Sequence, residues 1–380
     1  MDFSINGCRA VLPDRILEDA SVRVEGGKIA EVAQGRTFPG GCDAGGAWLL
    51  PGIVDIHSDA VEKAVEPRPR AFFPSAIALR ELDRALCACG ITTMFHSLSF
   101  ADMEEGFRSN GIAAHYIDEI SAMAPSLRCD TRIHARFEVT DLGALPHLRR
   151  LLDEGKLGLL SFMDHSPGQG QYRDVAAYKG YYGKVYAKTD AELDRIIDRK
   201  LKAREEGLAH AVEEMAGLCR DRGVPMASHD DDTPERIAWC RANGVAVSEF
   251  PVNLGTARAA REAGVLACLG APNLVRGGSQ AGNLSVRTAI EAGCGDILCS
   301  DYLPSSILHA VFLLVAWDLR PMPEAAAMAS LAPARAAGID DLTGSVEVGK
   351  RADLLLVAER SGLPDLLRAW RGGLRVYATC

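Results

Sequence analysis

From residue 51 to residue 339 the chain alternates continuous apolar runs of strand length with helix-patterned stretches, and this alternation constrains the fold more than any other feature. Runs that are apolar on both faces suit parallel strands covered by crossover helices. Eight such runs are legible, at 53–56, 92–95, 133–137, 158–163, 224–228, 245–250, 265–269 and 297–300. Eight strands predict a TIM-like (β/α)8 barrel, and residues 51–339 accommodate the roughly 250 residues of that fold with insertions. A doubly wound open sheet is the alternative, but no glycine-rich phosphate fingerprint follows the first strand. Residues 1–50 and 340–380 instead show short alternating bursts broken by pairs such as Gly26-Gly27 and Gly45-Gly46. They predict a small β-sandwich domain built from both chain ends. The largest insertion lies between His165 and His229. It holds a Tyr-, Gly- and Lys-rich loop over 172–188 and a long charged helix from Asp190 onward, in the position of a lid over the barrel mouth.

Charge and cysteine usage narrow the function classes. A formal net charge of −9 offers no broad cationic face for a phosphate backbone, so no nucleic-acid partner is expected. An anionic substrate would have to be met by a local pocket. The eleven cysteines are scattered and show no C-x-x-C pair, as expected of buried thiols in a reducing cytoplasm. No charged-then-apolar leader opens the chain, and the most apolar stretch, 307–317, is interrupted by His309 and too short to span a bilayer. A cytoplasmic protein with no membrane partner is expected, and self-association into a homo-oligomer is left open.

Candidate metal ligands fall where the apolar runs end: His57 and Asp59, Glu138, Asp164-His165, His229, and Asp301. In an extended segment residues i and i+2 share a face, so His57 and Asp59 can grip one cation, or one each of a close pair. The C-terminal strand ends of such a barrel form its active site. Imidazoles and carboxylates suit one or two divalent ions, with zinc the first candidate and manganese or iron the alternatives. Each residue also has a bland reading: His57 satisfied by backbone, Glu138 paired with Arg136 or Arg132, Asp301 capping the helix after Pro304. Asp230, Asp231 and Asp232 precede Thr233-Pro234-Glu235 and are read as helix caps. His96 stays a candidate, while His115, His134, His147, His210 and His309 are read as structural. Basic residues gather near the same ends. Lys63, Arg68 and Arg70 follow the first ligand pair, and Arg276-Gly277-Gly278-Ser279 offers a guanidinium with backbone N–H groups of the kind that cradle phosphate. A plain Gly-Gly turn with a solvated arginine is the competing reading of that loop.

These elements together resemble the amidohydrolase superfamily, through Leu50-Pro51-Gly52-Ile53-Val54-Asp55-Ile56-His57 and Gly349-Lys350-Arg351-Ala352-Asp353-Leu354. Within it the likeness narrows to the α-D-ribose 1-methylphosphonate 5-triphosphate diphosphatases of the carbon–phosphorus lyase pathway. The segments that carry it are His57-Ser58-Asp59 through Pro67-Arg68-Pro69, Met163-Asp164-His165-Ser166-Pro167-Gly168-Gln169, Ser228-His229-Asp230-Asp231, the run from Gly270 to Ser279, and Ser300-Asp301-Tyr302. The resemblance implies a metal-dependent hydrolase that splits a phosphorylated sugar phosphonate, a small molecule, into a 5-phosphate and diphosphate. It implies an ion held by His57, Asp59, Glu138, His165, His229 and Asp301, with Glu138 in the bridging role and Asp301 taking the proton of the attacking water. The usual His-x-His is here His57-x-Asp59, and no lysine stands clearly where many relatives carry a bridging one. A cyclic-amide or N-acetyl hydrolase and a non-catalytic scaffold on the same fold are the rival readings.

Overall fold

A computed structural model describes residues 2–68, 71–101, 108–166, 189–206, 208–279 and 282–379, together with Val175 and Lys179. Five strands open the chain: β1 (Phe3–Val11), β2 (Ile16–Glu25), β3 (Lys28–Gln34), β4 (Cys42–Asp43) and β5 (Trp48–Pro51). Then come β6 (Ile53–Ser58), β7 (Ile91–Phe100), β8 (Asp130–Glu138), β9 (Leu159–Met163), β10 (Met226–His229), β11 (Val247–Glu249), β12 (Leu266–Gly270) and β13 (Ile297–Cys299). Three strands close it: β14 (Leu354–Arg360), β15 (Leu363–Arg371) and β16 (Leu374–Ala378).

The eight middle strands form one parallel sheet in chain order, β6 beside β7 through to β13. Each of the eight apolar runs therefore became a strand, with helices such as Ser75–Ala88 and Asn110–Met123 in the crossovers. Phe95, Leu159, Ala227, Val247, Cys268 and Ile297, one from each of six strands, pack into a single apolar cluster, as a filled barrel interior requires. The sheet closes at its C-terminal rim, where Ser58 bridges Asp301 in parallel register. Asp301 N–H donates to His57 O (3.0 Å), and Asp59 N–H donates to Asp301 O (2.7 Å).

Both chain ends build the second sheet, in the order β16-β15-β14-β5-β1-β2-β3 with β4 beside β1. It is mixed rather than purely antiparallel, because β1 runs parallel to β4 and β5. Its core gathers Ile5, Val22, Leu49, Leu354, Leu356 and Trp370. Pro51-Gly52 is where the chain leaves this sheet for the barrel. A Cβ on Gly52 would collide with the Thr92 side chain, so the close approach requires glycine. The insertion helix expected from Asp190 onward spans Asp190–Glu206, whereas the 172–188 loop, apart from Val175 and Lys179, lies outside the described residues. Among the described residues no helix is long and apolar enough to cross a membrane.

Arg351, in the Gly-Lys-Arg-Ala-Asp segment, ties the end sheet to the barrel. Its guanidinium donates to Asp353 Oδ2 (2.7 Å), to Asp130 Oδ2 on β8 (2.8 Å) and to Thr93 Oγ1 on β7 (3.1 Å). Burial alone would raise the Asp130 pKa, but Arg132 and Arg351 outweigh it and hold the carboxyl below its ordinary value. Arg351→Met removes the cation shared by two partly enclosed carboxylates and should lower the unfolding free energy by roughly 3 kcal/mol. A depressed folded-state pKa contributes stability that is complete above the unfolded value and is lost as pH falls through the folded one. The gap between wild type and R351M in urea unfolding should therefore narrow below about pH 4. A gap that stays constant on acidification contradicts this role.

Candidate metal centre

The strand ends carry three non-glycine residues in left-handed backbone: Asp230 (φ 55°) and Phe250 (φ 56°), directly after β10 and β11, and Asp301 (φ 55°), which Ser300 separates from the end of β13. Aspartate visits this region more readily than most residues, and phenylalanine does so at a cost of roughly 1–2 kcal/mol. The kink at Asp301 leaves its carboxylate over Gly270, where an added Cβ would stand 3.3 Å from Asp301 Oδ2. On β6 the pairing with β7 slips by a residue between Asp55 and Ser58, a bulge beside the first candidate ligand pair.

The histidines of three strand ends meet. The His57 and His229 ring centres lie 5.4 Å apart and those of His165 and His229 5.7 Å apart. His165 Nε2 and His229 Nδ1 stand 3.7 Å and 3.3 Å from Asp230 Oδ2, and this trio's donor atoms all lie within 4.8 Å of one another. Asp230 and His229 are buried, yet Asp230 Oδ2 and His229 Nδ1 have no hydrogen-bond partner. Buried donors that converge without bonding each other fit a cation better than a hydrogen-bonded core. Nitrogen and oxygen donors of this kind suit zinc, manganese or iron.

Asp230 is therefore not a helix cap. The helix Pro234–Asn243 is capped by Thr233, whose side chain accepts from Arg236 N–H at 3.2 Å. Asp231 is also buried, accepting from Ser228 Oγ (2.6 Å) and Ser248 Oγ (2.5 Å). Asp59 accepts from Arg136 Nη1 at 2.9 Å, and the same guanidinium donates through Nη2 to His229 Nε2 at 3.0 Å. Burial would raise the Asp59 pKa, but Arg136 and Arg108 reverse this and hold it well below the usual carboxylate range.

Glu138 joins the group through His165, whose Nδ1 is 3.1 Å from Oε2. Its other oxygen accepts from Thr140 Oγ1 (2.8 Å) and lies 3.3 Å from the ammonium of Lys200, a buried lysine on the insertion helix. Burial opposes ionisation of Glu138, but Lys200 and His165 keep it charged. His165 in turn is raised to about 9, with burial opposing and Asp230 and Glu138 prevailing. Asp301 goes the other way, pushed up to about 6 by burial and by the charge of Asp59.

His134, read from sequence as structural, lies in the same layer. Its ring is 5.2 Å from that of His57, and burial pulls its pKa down to about 3. Glu249 is a residue that gave no signal in the sequence. It ends β11, is fully buried, and accepts from His57 Nδ1 at 2.9 Å. His96 is buried within β7 and joins neither donor group; burial lowers its pKa to about 4. Asp164 accepts from Ser166 N–H at 3.1 Å.

Of the basic residues, Lys63 and Arg276 converge on Tyr302, the neighbour of Asp301. Lys63 Nζ stands 4.7 Å from the ring centre, and Arg276 Nη1 donates to the phenol oxygen at 3.2 Å. Arg68 follows Lys63 in the chain and is exposed, and Arg70 lies outside the described residues. Gly277 corrects the expectation of a free backbone donor. It is the left-handed C-cap (φ 84°) of the helix Ala271–Arg276, and its N–H is committed to Leu274 O at 3.1 Å. Gly278 and Ser279 follow it, half-buried.

Comparison with known proteins gives this geometry a family. A sequence profile described as "Amidohydrolase family" matches residues 185–376. The chain is 33% identical over 380 residues to the alpha-D-ribose 1-methylphosphonate 5-triphosphate diphosphatase of Escherichia coli (strain K12), covering 98% of this chain and 100% of that protein. It is 25% identical over 412 residues to an imidazolonepropionase of Cupriavidus pinatubonensis, covering 95% and 88%. Among solved structures, a 5-methylcytosine deaminase from Klebsiella pneumoniae superposes with a TM-score of 0.67 at 14% identity, covering 100% of this chain and 98% of that one, a likeness of fold alone. The parallel barrel, the sheet built from both chain ends, the donors at the strand ends and the full-length similarity agree: the chain belongs to the amidohydrolase family.

Proposed function

We propose that this protein is a metal-dependent diphosphatase that hydrolyses α-D-ribose 1-methylphosphonate 5-triphosphate to the 5-phosphate and diphosphate in the cytoplasm. What supports the substrate class most directly is the rim beside Asp301. Lys63 and Arg276 gather on Tyr302 with no carboxylate partner among the described residues. Like charges held together without a counter-ion make an attractive seat for a polyanion, and an amide substrate would have little use for them. Full-length similarity to a diphosphatase supports the same reading.

The ion, zinc for preference, would be held by His57, Asp59, Glu138, His165, His229 and Asp301, with Asp230 joining them beside His165 and His229, and would supply the Lewis-acid chemistry that activates water and polarises a phosphoryl oxygen. Asp301 takes the proton of the attacking water, a task suited to a carboxylate whose pKa burial lifts to about 6, still mostly ionised near neutrality. Gly270 leaves it room to do so. The water attacks the phosphorus nearest the ribose. Lys63, Arg68 and Arg276 neutralise the charge that develops on the departing diphosphate, with Arg70, Gly278 and Ser279 as the remaining expected substrate contacts. Charge met where it develops contributes the largest catalytic gain. Gly277 itself offers no donor to a phosphate, since its N–H is committed to Leu274 O.

Zinc-loaded protein given the ribosyl triphosphate should release diphosphate. Orthophosphate as the sole product refutes the bond assignment, and turnover of a cyclic amide with none of the triphosphate favours the rival hydrolase. Asp301→Asn should reduce kcat by at least about a thousandfold while zinc stays bound, and normal turnover in that variant removes Asp301 from the mechanism. Arg276→Ala should raise KM about tenfold or more with little change in kcat, the loss expected of a charged contact worth roughly 1.5–3 kcal/mol. If both constants are untouched, the phosphate seat is misplaced.

A further inference from the structure

We infer that Glu249 is a positioning residue whose carboxylate holds the His57 imidazole so that Nε2 faces the rim as a metal donor. Glu249 lies outside the proposed ligand set, and its role presupposes that the rim takes up an ion.

Two groups of donors sit at the rim, and they differ in which of their nitrogens are already hydrogen-bonded. In the His165, His229 and Asp230 group, His229 Nδ1 and Asp230 Oδ2 face each other without a hydrogen bond. Around Glu249 both imidazole Nδ1 atoms are already committed. His57 Nδ1 donates to Glu249 Oε1 at 2.9 Å, and His134 Nδ1 donates to Ile56 O at 2.9 Å, leaving it 3.9 Å from the same carboxylate oxygen. The first group is open to a cation, and the second acts as a brace behind it.

An imidazole whose Nδ1–H is bound to an anion keeps its free lone pair on Nε2. The His57 ring is also confined from its sides, with the Phe250 ring edge-on at 4.9 Å and the His134 ring edge-on at 5.2 Å. Glu249 and His57 are 0% and 1% exposed, so water does not compete for the bond. Glu249 sits on a strand rather than a loop, which fixes the direction from which the ring is held. Loss of such a carboxylate behind a ligating histidine typically costs about 10–100-fold in metal affinity. Glu249 Oε2 has no hydrogen-bond partner, so direct ligation is the competing role.

Zinc affinity and stoichiometry, measured by competition with a chromophoric chelator, separate the two roles. Glu249→Gln should bind the same number of zinc ions as the wild type, with affinity lowered about 10–100-fold. Unchanged affinity overturns the inference, and so does loss of a bound ion. A measurement on unmutated protein keeps the test open if the variant fails to fold. In nitrogen-15 spectra of ion-free wild type, the His57 ring should carry a proton on Nδ1, and addition of zinc should perturb Nε2. A ring protonated on Nε2 alone, or zinc bound through Nδ1, contradicts the assignment. Wild-type protein that takes up no zinc defeats the metal reading itself, and the ion-free His57 tautomer then still decides whether Glu249 holds the ring.

Discussion

Closure of the barrel between its first and last strands is the constraint on which the rest of the structure depends. β13 is only three residues long, and a strand that short cannot hold a seam by its own ladder. The closure is made at the rim. Asp301 and His57 share one backbone hydrogen bond and Asp59 and Asp301 another, at 3.0 and 2.7 Å. Beneath them Ser300 N–H donates to Asp55 Oδ1 (3.1 Å) and Ser300 Oγ donates to Ser58 Oγ (2.9 Å). The residues that shut the barrel are thus the candidate ligands or their immediate neighbours. Closing the seam therefore brings His57, Asp59 and Asp301 together.

The rim concentrates charge that the protein can hold only in pairs. Half-buried Asp59 leans on Arg136, buried Glu138 on Lys200 and His165, and buried Glu249 on His57, each kept ionised against the cost of burial. Glu249 titrates at about 2 for that reason. Removing one partner leaves a buried charge uncompensated, which costs far more than the intact pair contributes. Asp301 goes the other way, raised rather than lowered, as the proposed proton acceptor requires. Lys200 also ties the insertion helix to Glu138, so the segment that follows the proposed lid reaches the site through one buried ammonium.

The fold was legible in the sequence because a parallel barrel writes itself as apolar runs. Strand ends were less so. β7 extends from Ile91 to Phe100, well past the apolar stretch at 92–95, because Ser97 and Ser99 are buried polar residues that an apolar count passes over. Histidines and acids at the ends of apolar runs could be found because such runs end where the site begins. Glu249 sits inside the apolar run 245–250, where a single acid carries no pattern. Asp230 was masked by the acids around it, which read as a helix start, while the cap proved to be Thr233. In the sequence Arg136 reads as a partner for Glu138, whereas its partners in the fold, Asp59 and His229, are 77 and 93 residues away in the chain. Contacts of that range follow from strand order and rim geometry, which no local window contains.

The most direct test of the account is anomalous X-ray diffraction from crystals grown with zinc, with data collected on both sides of the zinc absorption edge. The donors described here predict an anomalous peak at the C-terminal rim, within about 2.0–2.2 Å of imidazole nitrogens and carboxylate oxygens, among His57, Asp59, His165 and His229. A rim that carries no anomalous density, with those side chains hydrogen-bonded only to each other and to water, would contradict it.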